Sequence, residues 1–252
     1  CSRVAPVCIS RRWFQRCWHS GIAEPSTTGG DTVLSLLGRA LLVLAFLTSA
    51  HHIARPEKAG DAVVRNVTLA SQIAPFALLV SAFVLDASSL DLVARFGGDG
   101  LPLLYRVSAV WGGRAGPLLL WAAILAVVTW FMAREGGPAT LEVRIMHGLT
   151  LALLVLAWLL EPFAAATGGQ GELHPLLQTD LMVIHPPVVF SYYALCLATA
   201  SVALAGVLRR DSADAIHAAQ LHWARAGFVL GSIGIGLGGL WAYTVLDWGG
   251  YW

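Results

Sequence analysis

The stretch "LMVIHPPVVFSYYA" at 181–194 carries one imidazole, His185, followed at once by two prolines, inside a run otherwise apolar enough to enter a membrane. An imidazole nitrogen can bind a metal, and fixed backbone torsions beside it lower the cost of holding the ring in one orientation. The same placement also suits a plain interfacial histidine with prolines in a first helical turn, so taken alone the residue leaves both readings open. Its company is aromatic. Trp111 and Trp121 flank "GGRAGP" at 112–117, and the chain ends in "GLWAYTVLDWGGYW" at 239–252, which holds Trp241, Trp248 and Trp252 with Tyr243 and Tyr251 between them. A flat, apolar, metal-bearing ligand suits such a set, because indole faces take its plane and a histidine takes its metal. Haem is such a molecule. The competing reading is an aromatic belt at a membrane surface.

Other chemistries find little support. Cys1, Cys8, Cys17 and Cys196 form no CxxC pair, so a zinc site, a redox dithiol and covalent haem attachment to this chain are not indicated. Cys196 lies in an apolar run and reads as a small core residue. "GGDG" at 97–100 is a turn without the lysine of a phosphate-binding loop. Asp86 and Glu161 fall at the ends of apolar runs, which argues against an ion relay through the membrane. A net charge of +1 makes nucleic acid an unexpected partner. His51, His52, His147, His217 and His222 read as solvated or interfacial residues.

The elements that must position the candidates are membrane helices. Hydrophobic residues make up 57% of the 252 residues and charged ones 12%, against roughly 25% in soluble domains. Mean hydropathy is +0.68. Six spans are predicted near 33–53, 67–86, 117–133, 143–161, 183–208 and 226–246, giving an all-α polytopic membrane helix bundle. Pro75 is expected to kink the second. Glycines at 227, 231, 234, 236, 238 and 239 let the sixth approach a neighbour closely. Basic residues set the orientation. Arg55, Lys58 and Arg65 follow the first span, Arg134 and Arg144 the third, and Arg209, Arg210 and Arg225 the fifth. Arg95, Arg106 and Arg114 follow the second, and none follows the fourth. The first set belongs to the cytoplasm, so the loops at 87–116 and 162–182 and the Trp-rich terminus are predicted on the outer face. The arm at 1–31 is set apart from the transmembrane domain at 32–252. Its first residues are rich in arginine and free of acid, which reads as a transit segment or as an extension outside the fold.

Four stretches in order carry a family likeness: "VSAFVLD" (80–86), "YRVSAVWGGRAGPLLLW" (105–121), "ELHPLLQTDLMVIHPPVVFSYYA" (172–194) and "GLWAYTVLDWGGYW" (239–252). Over about 67–252 the chain resembles the N-terminal part of the CcmF-type haem lyase family of cytochrome c maturation, and its last stretch resembles the beginning of the Trp-rich "WWD" segment of haem-handling proteins. The resemblance implies a subunit or fragment of a cytochrome c haem lyase that holds haem b as substrate at the outer membrane face for attachment to apocytochrome c. His185 of "HPP" corresponds to an external ligand of the haem iron. Trp241, Trp248, Gly249, Gly250, Tyr251 and Trp252 correspond to the start of the Trp-rich segment, and Trp111 and Trp121 to aromatic positions near the site. Implied partners are a haem chaperone, apocytochrome c, other maturation subunits, membrane lipid and a chain supplying the missing C-terminal half. Without that half the chain is not expected to be active. The implied membrane is the bacterial inner membrane, with the mitochondrial inner membrane as the alternative. A haem transporter or haem-binding module of the CcmC or CcsA type is the runner-up, and a structural or transport subunit stands behind it. The family's asparagine in "LNPLLQ" is His174 here, a second imidazole whose role the resemblance leaves open, and its "HEGS" is "RAGP" at 114–117.

Overall fold

The structure is a computed structural model that describes residues 29–55, 61–98, 100–137, 139–169 and 171–249. Residues 1–28 of the arm at 1–31, and Gly250, Tyr251 and Trp252 of the Trp-rich segment, lie outside the described residues. The chain forms α1 (Gly29–Ala54), α2 (Ala62–Val84), the short α3 (Asp91–Phe96) and α4 (Leu103–Ala109), a 3-10 turn at Val110–Gly112, α5 (Ala115–Glu135), α6 (Leu141–Leu159), a second 3-10 turn at Pro175–Leu177, α7 (Asp180–Arg209) and α8 (Ala213–Thr244). Six of these helices are long and apolar enough to cross a membrane. No strand occurs among the described residues, so the all-α membrane bundle expected from the sequence is the observed fold.

Helix ends follow capping chemistry. The Asp61 carboxylate accepts the Val63 N–H at 2.8 Å, the Thr179 hydroxyl the Met182 N–H at 3.3 Å, and the Ser212 hydroxyl the Ala215 N–H at 3.3 Å. Two differences from the predicted spans bear on the site, and the other helix ends lie within about five residues of them. α7 begins at Asp180, which moves Pro186 and Pro187 out of the first turn and into the helix interior. α8 begins at Ala213 rather than near 226, because an alanine-rich polar stretch behind a serine cap propagates a helix that hydropathy does not register. α2 remains helical through Pro75.

α5 is the centre of the bundle, with 61% of its apolar window buried against 22% for α8. It packs on α2, α6 and α7, while α8 packs chiefly on α7 as an antiparallel hairpin. Large residues such as Leu79, Phe83, Leu119, Leu125 and Met146 fill the core, and Ala45, Ala122, Ala157, Ala194 and Ala198 let the helices close up.

The connections 85–114 and 160–179 share one end of the bundle and fold into a joint cap. Leu90 and Ala165 form an antiparallel bridge, Asp91 N–H donates to Ala164 O at 3.0 Å, and Gly171 N–H donates to Ala94 O at 2.8 Å. Phe163 anchors this cap. Its ring is buried against Gly38 of α1, and its carbonyl accepts the Ser35 hydroxyl. Phe163→Ala is expected to destabilise the protein by about 3–5 kcal/mol, the usual cost of removing a buried aromatic ring. Gly148→Ala, which meets open space, is expected to leave stability unchanged or raised. Thermal unfolding in detergent checks both.

Candidate functional site

The loop-rich end of the bundle gathers the unusual residues. Pro186 has no N–H to give the carbonyl of Met182, which an unbroken helix would have satisfied. That carbonyl instead accepts the indole Nε1–H of Trp111 at 2.7 Å, from the 3-10 turn before α5. Trp111 is 9% exposed, so its ring serves here as packing and its N–H as a fastener. Nearby, the Tyr105 hydroxyl donates to Asp180 at 3.2 Å. Loss of hydration first, and this bond to a carboxylate second, hold the Tyr105 phenol above its ordinary pKa, so it stays a donor at neutral pH. His174 is exposed, and its Nδ1 accepts the Leu176 N–H at 3.3 Å, capping the short turn that follows it.

His185 sits between α7 and α8. A seam of α8 glycines faces α7: a Cβ added at Gly231 would meet the Tyr192 ring, one at Gly234 would meet Val189, and one at Gly238 would lie 2.9 Å from Cε1 of His185. The imidazole therefore rests on the bare backbone of α8. Its Nδ1 is fully enclosed with no hydrogen-bond partner among the described residues, which leaves Nε2 as the nitrogen for a ligand. The indole nitrogens of Trp241 and Trp121 are also enclosed and have no partner among the described residues. Trp121 packs against Phe190 and Tyr193 of α7, with ring centroids 6.0 and 5.6 Å away. Trp248 is 66% exposed, and no described residue crowds Gly249. The fold thus brings His185 against α8 one turn before Trp241, ties Trp111 to the turn before His185, and leaves Trp248 outside the packed cluster.

The opposite end holds a polar node that the sequence reading missed. His52 and His147 are not solvated: they are 2% and 6% exposed, and their rings stack at 4.5 Å with an interplanar angle of 22°. The Thr68 hydroxyl donates to Val64 O, so His52 Nε2–H donates to Thr68 at 2.9 Å, and the enclosed His52 Nδ1 has no partner among the described residues. Gln72 Nε2 donates to the Ser49 hydroxyl at 2.8 Å and lies 3.2 Å from His147 Nδ1. The signal was present as spacing: Ser49 with His52, Thr68 with Ser71 and Gln72, and His147 with Thr150 each mark one helix face. Cys196 also departs from expectation, being exposed on α7 rather than in the core.

A sequence model of the family described as "Cytochrome C assembly protein" matches residues 111–252, more than half of the chain. The chain is 34% identical over 187 residues to the probable cytochrome c-type biogenesis protein NrfE of Escherichia coli (strain K12), covering 70% of this chain and 34% of that protein. It is 32% identical over 189 residues to the cytochrome c-type biogenesis protein CcmF of the same organism, covering 70% and 29%. The solved structure of "Cytochrome c Heme Lyase CcmF" matches with a TM-score of 0.69 at 22% identity, over 87% of this chain and 38% of that one, a likeness of fold. The chain spans about a third of the length of the curated relatives it matches.

The polar node makes its own prediction. Gln72→Leu removes the donor shared by Ser49 and His147 and is expected to cost about 1–2 kcal/mol, the range of interhelical hydrogen bonds in membranes. A thermal midpoint equal to that of the parent protein would show that the node carries no stability.

Proposed function

The chain belongs to the cytochrome c assembly family as a CcmF-type cytochrome c maturation protein, and from that premise we propose that its loop-rich end holds haem for attachment to apocytochrome c. Haem is the substrate here. The basic connections lie at the opposite end of the bundle, which supports an outer-face position for the loop-rich end. The observation that carries the reading is the seating of His185: an imidazole backed by the α8 backbone, one nitrogen enclosed, the other left for iron, with an indole one turn further along α8. The proposed haem surface includes Trp241, one turn beyond Gly238 on α8, and Trp121, packed on Phe190 and Tyr193 of α7, and, by the family resemblance, the Trp-rich residues Trp248, Gly249, Gly250, Tyr251 and Trp252.

The chemistry asks for position rather than for a nucleophile. A cysteine thiol of the apocytochrome adds across a haem vinyl group: a carbon–sulfur bond forms, the thiol hydrogen goes to the other vinyl carbon, and no electrons are gained or lost overall. The thiols come from the substrate protein. What this chain contributes is an axial imidazole that fixes iron and indole faces that fix the ring plane, so that thiol and vinyl meet as neighbours. A haem chaperone delivers the substrate, and other maturation subunits act together with this chain.

The test uses tagged protein isolated from its own membranes, with haem content read from the Soret band. His185→Ala is expected to lower haem occupancy at least tenfold. His147 is a poor control because it is buried in the polar node, whereas His217 is exposed on α8 and His217→Ala is expected to leave occupancy unchanged. Equal occupancy in the two variants would sink the assignment.

A further inference from the structure

We infer that Trp111 and Gly238 are positioning residues for His185, fixing its ring from two sides. The inference rests on the reading of His185 as a ligand, but it stands on separate observations. The first is the hydrogen bond from Trp111 Nε1 to Met182 O at 2.7 Å, three residues before His185. That carbonyl is available because the residue four positions on is Pro186. In a low-dielectric bundle an unbonded carbonyl is costly, so the proline creates a demand that Trp111 meets. The prolines alone leave the early part of α7 short of main-chain bonds next to His185. The indole restores one bond and ties that part of α7 to the turn that begins α5. The second observation is the approach of α8. A methyl group at 238 would come within 2.9 Å of His185 Cε1 and 3.5 Å of both ring nitrogens, so the ring keeps its place only over a residue without a side chain.

This division of labour separates Trp111 from Trp121 and Trp241. Its N–H is already committed to the main chain of α7, whereas their indole nitrogens have no partner among the described residues. Trp111 acts through the backbone that aims His185 and has no need to touch the ligand.

Two readouts on protein isolated from its own membranes test the inference: haem occupancy, and the rate at which diethyl pyrocarbonate labels His185, followed by mass spectrometry on haem-free protein. Trp111→Phe keeps the ring and removes the N–H. It is expected to speed labelling and reduce haem occupancy on the order of 3- to 20-fold, the range of one interhelical hydrogen bond. Adding Pro186→Ala returns an N–H to Met182 O, and the double variant is expected to recover most of both losses. Gly238→Ala is expected to change both readouts, while Gly236→Ala, on the opposite side of α8 with no described residue in reach of an added Cβ, changes neither. Gly231→Ala crowds the same helix pair at Tyr192 and controls for helix separation as such. Parent-like values for Trp111→Phe, no recovery in the double variant, or equal effects of Gly231→Ala and Gly238→Ala would each overturn the inference. Full haem occupancy in His185→Ala would sink the ligand assignment instead, and the labelling rates would still decide whether Trp111 and Gly238 hold the ring.

Discussion

A proline in the interior of a membrane helix releases a carbonyl that hydrocarbon cannot hydrate, and much of the loop-rich end is arranged around that demand. Pro186 frees Met182 O, and the indole of Trp111 supplies the missing bond. To bring that indole into reach, the chain before α5 must fold back over the start of α7. The short helices α3 and α4, the bridge between Leu90 and Ala165, and the tie between Tyr105 and Asp180 build that fold-back. The histidine next to the proline inherits the rigidity.

On its other side His185 depends on what α8 lacks. Glycines along one face of α8 let the helix settle against Tyr192, Val189 and His185 in turn, while Phe228, Ile233, Ile235 and Leu240 are exposed. Glycine weakens a helix in isolation, so α8 holds its shape through its contact with α7. The same contact that stabilises α8 seats the imidazole, which ties the stability of the hairpin to the geometry of the site.

The spans were legible because the membrane imposes length and apolarity on each one separately, and a single pass along the chain sees both. The motif of His185 and the aromatic segments around it were legible because they are local in sequence. The glycine face of α8 announced a close helix contact, but which particular residues meet between helices escaped. Gln72 and His147 are 75 residues apart, and nothing in either neighbourhood announces the other. His52 and His147 look like interfacial residues one span at a time, yet together they are buried and stacked. Cys196 shows the same limit in reverse, since an apolar run says that a residue is out of water without saying whether it faces protein or lipid. Trp111 was legible as part of a motif, but its use became clear only with the carbonyl it serves.

The polar node also constrains the order in which the bundle can close. Its members come from α1, α2 and α6, the first, second and fourth of the long helices. Chains are synthesised from the N-terminus, so α1 and α2 reach the bilayer while α6 is still being made. Thr68 can satisfy His52 within that early pair, and Ser49 can receive one hydrogen of Gln72, but the other has no acceptor in His147 until two more helices have arrived. The half-built protein therefore carries an open polar notch into the membrane, and docking of α6 is the event that seals it.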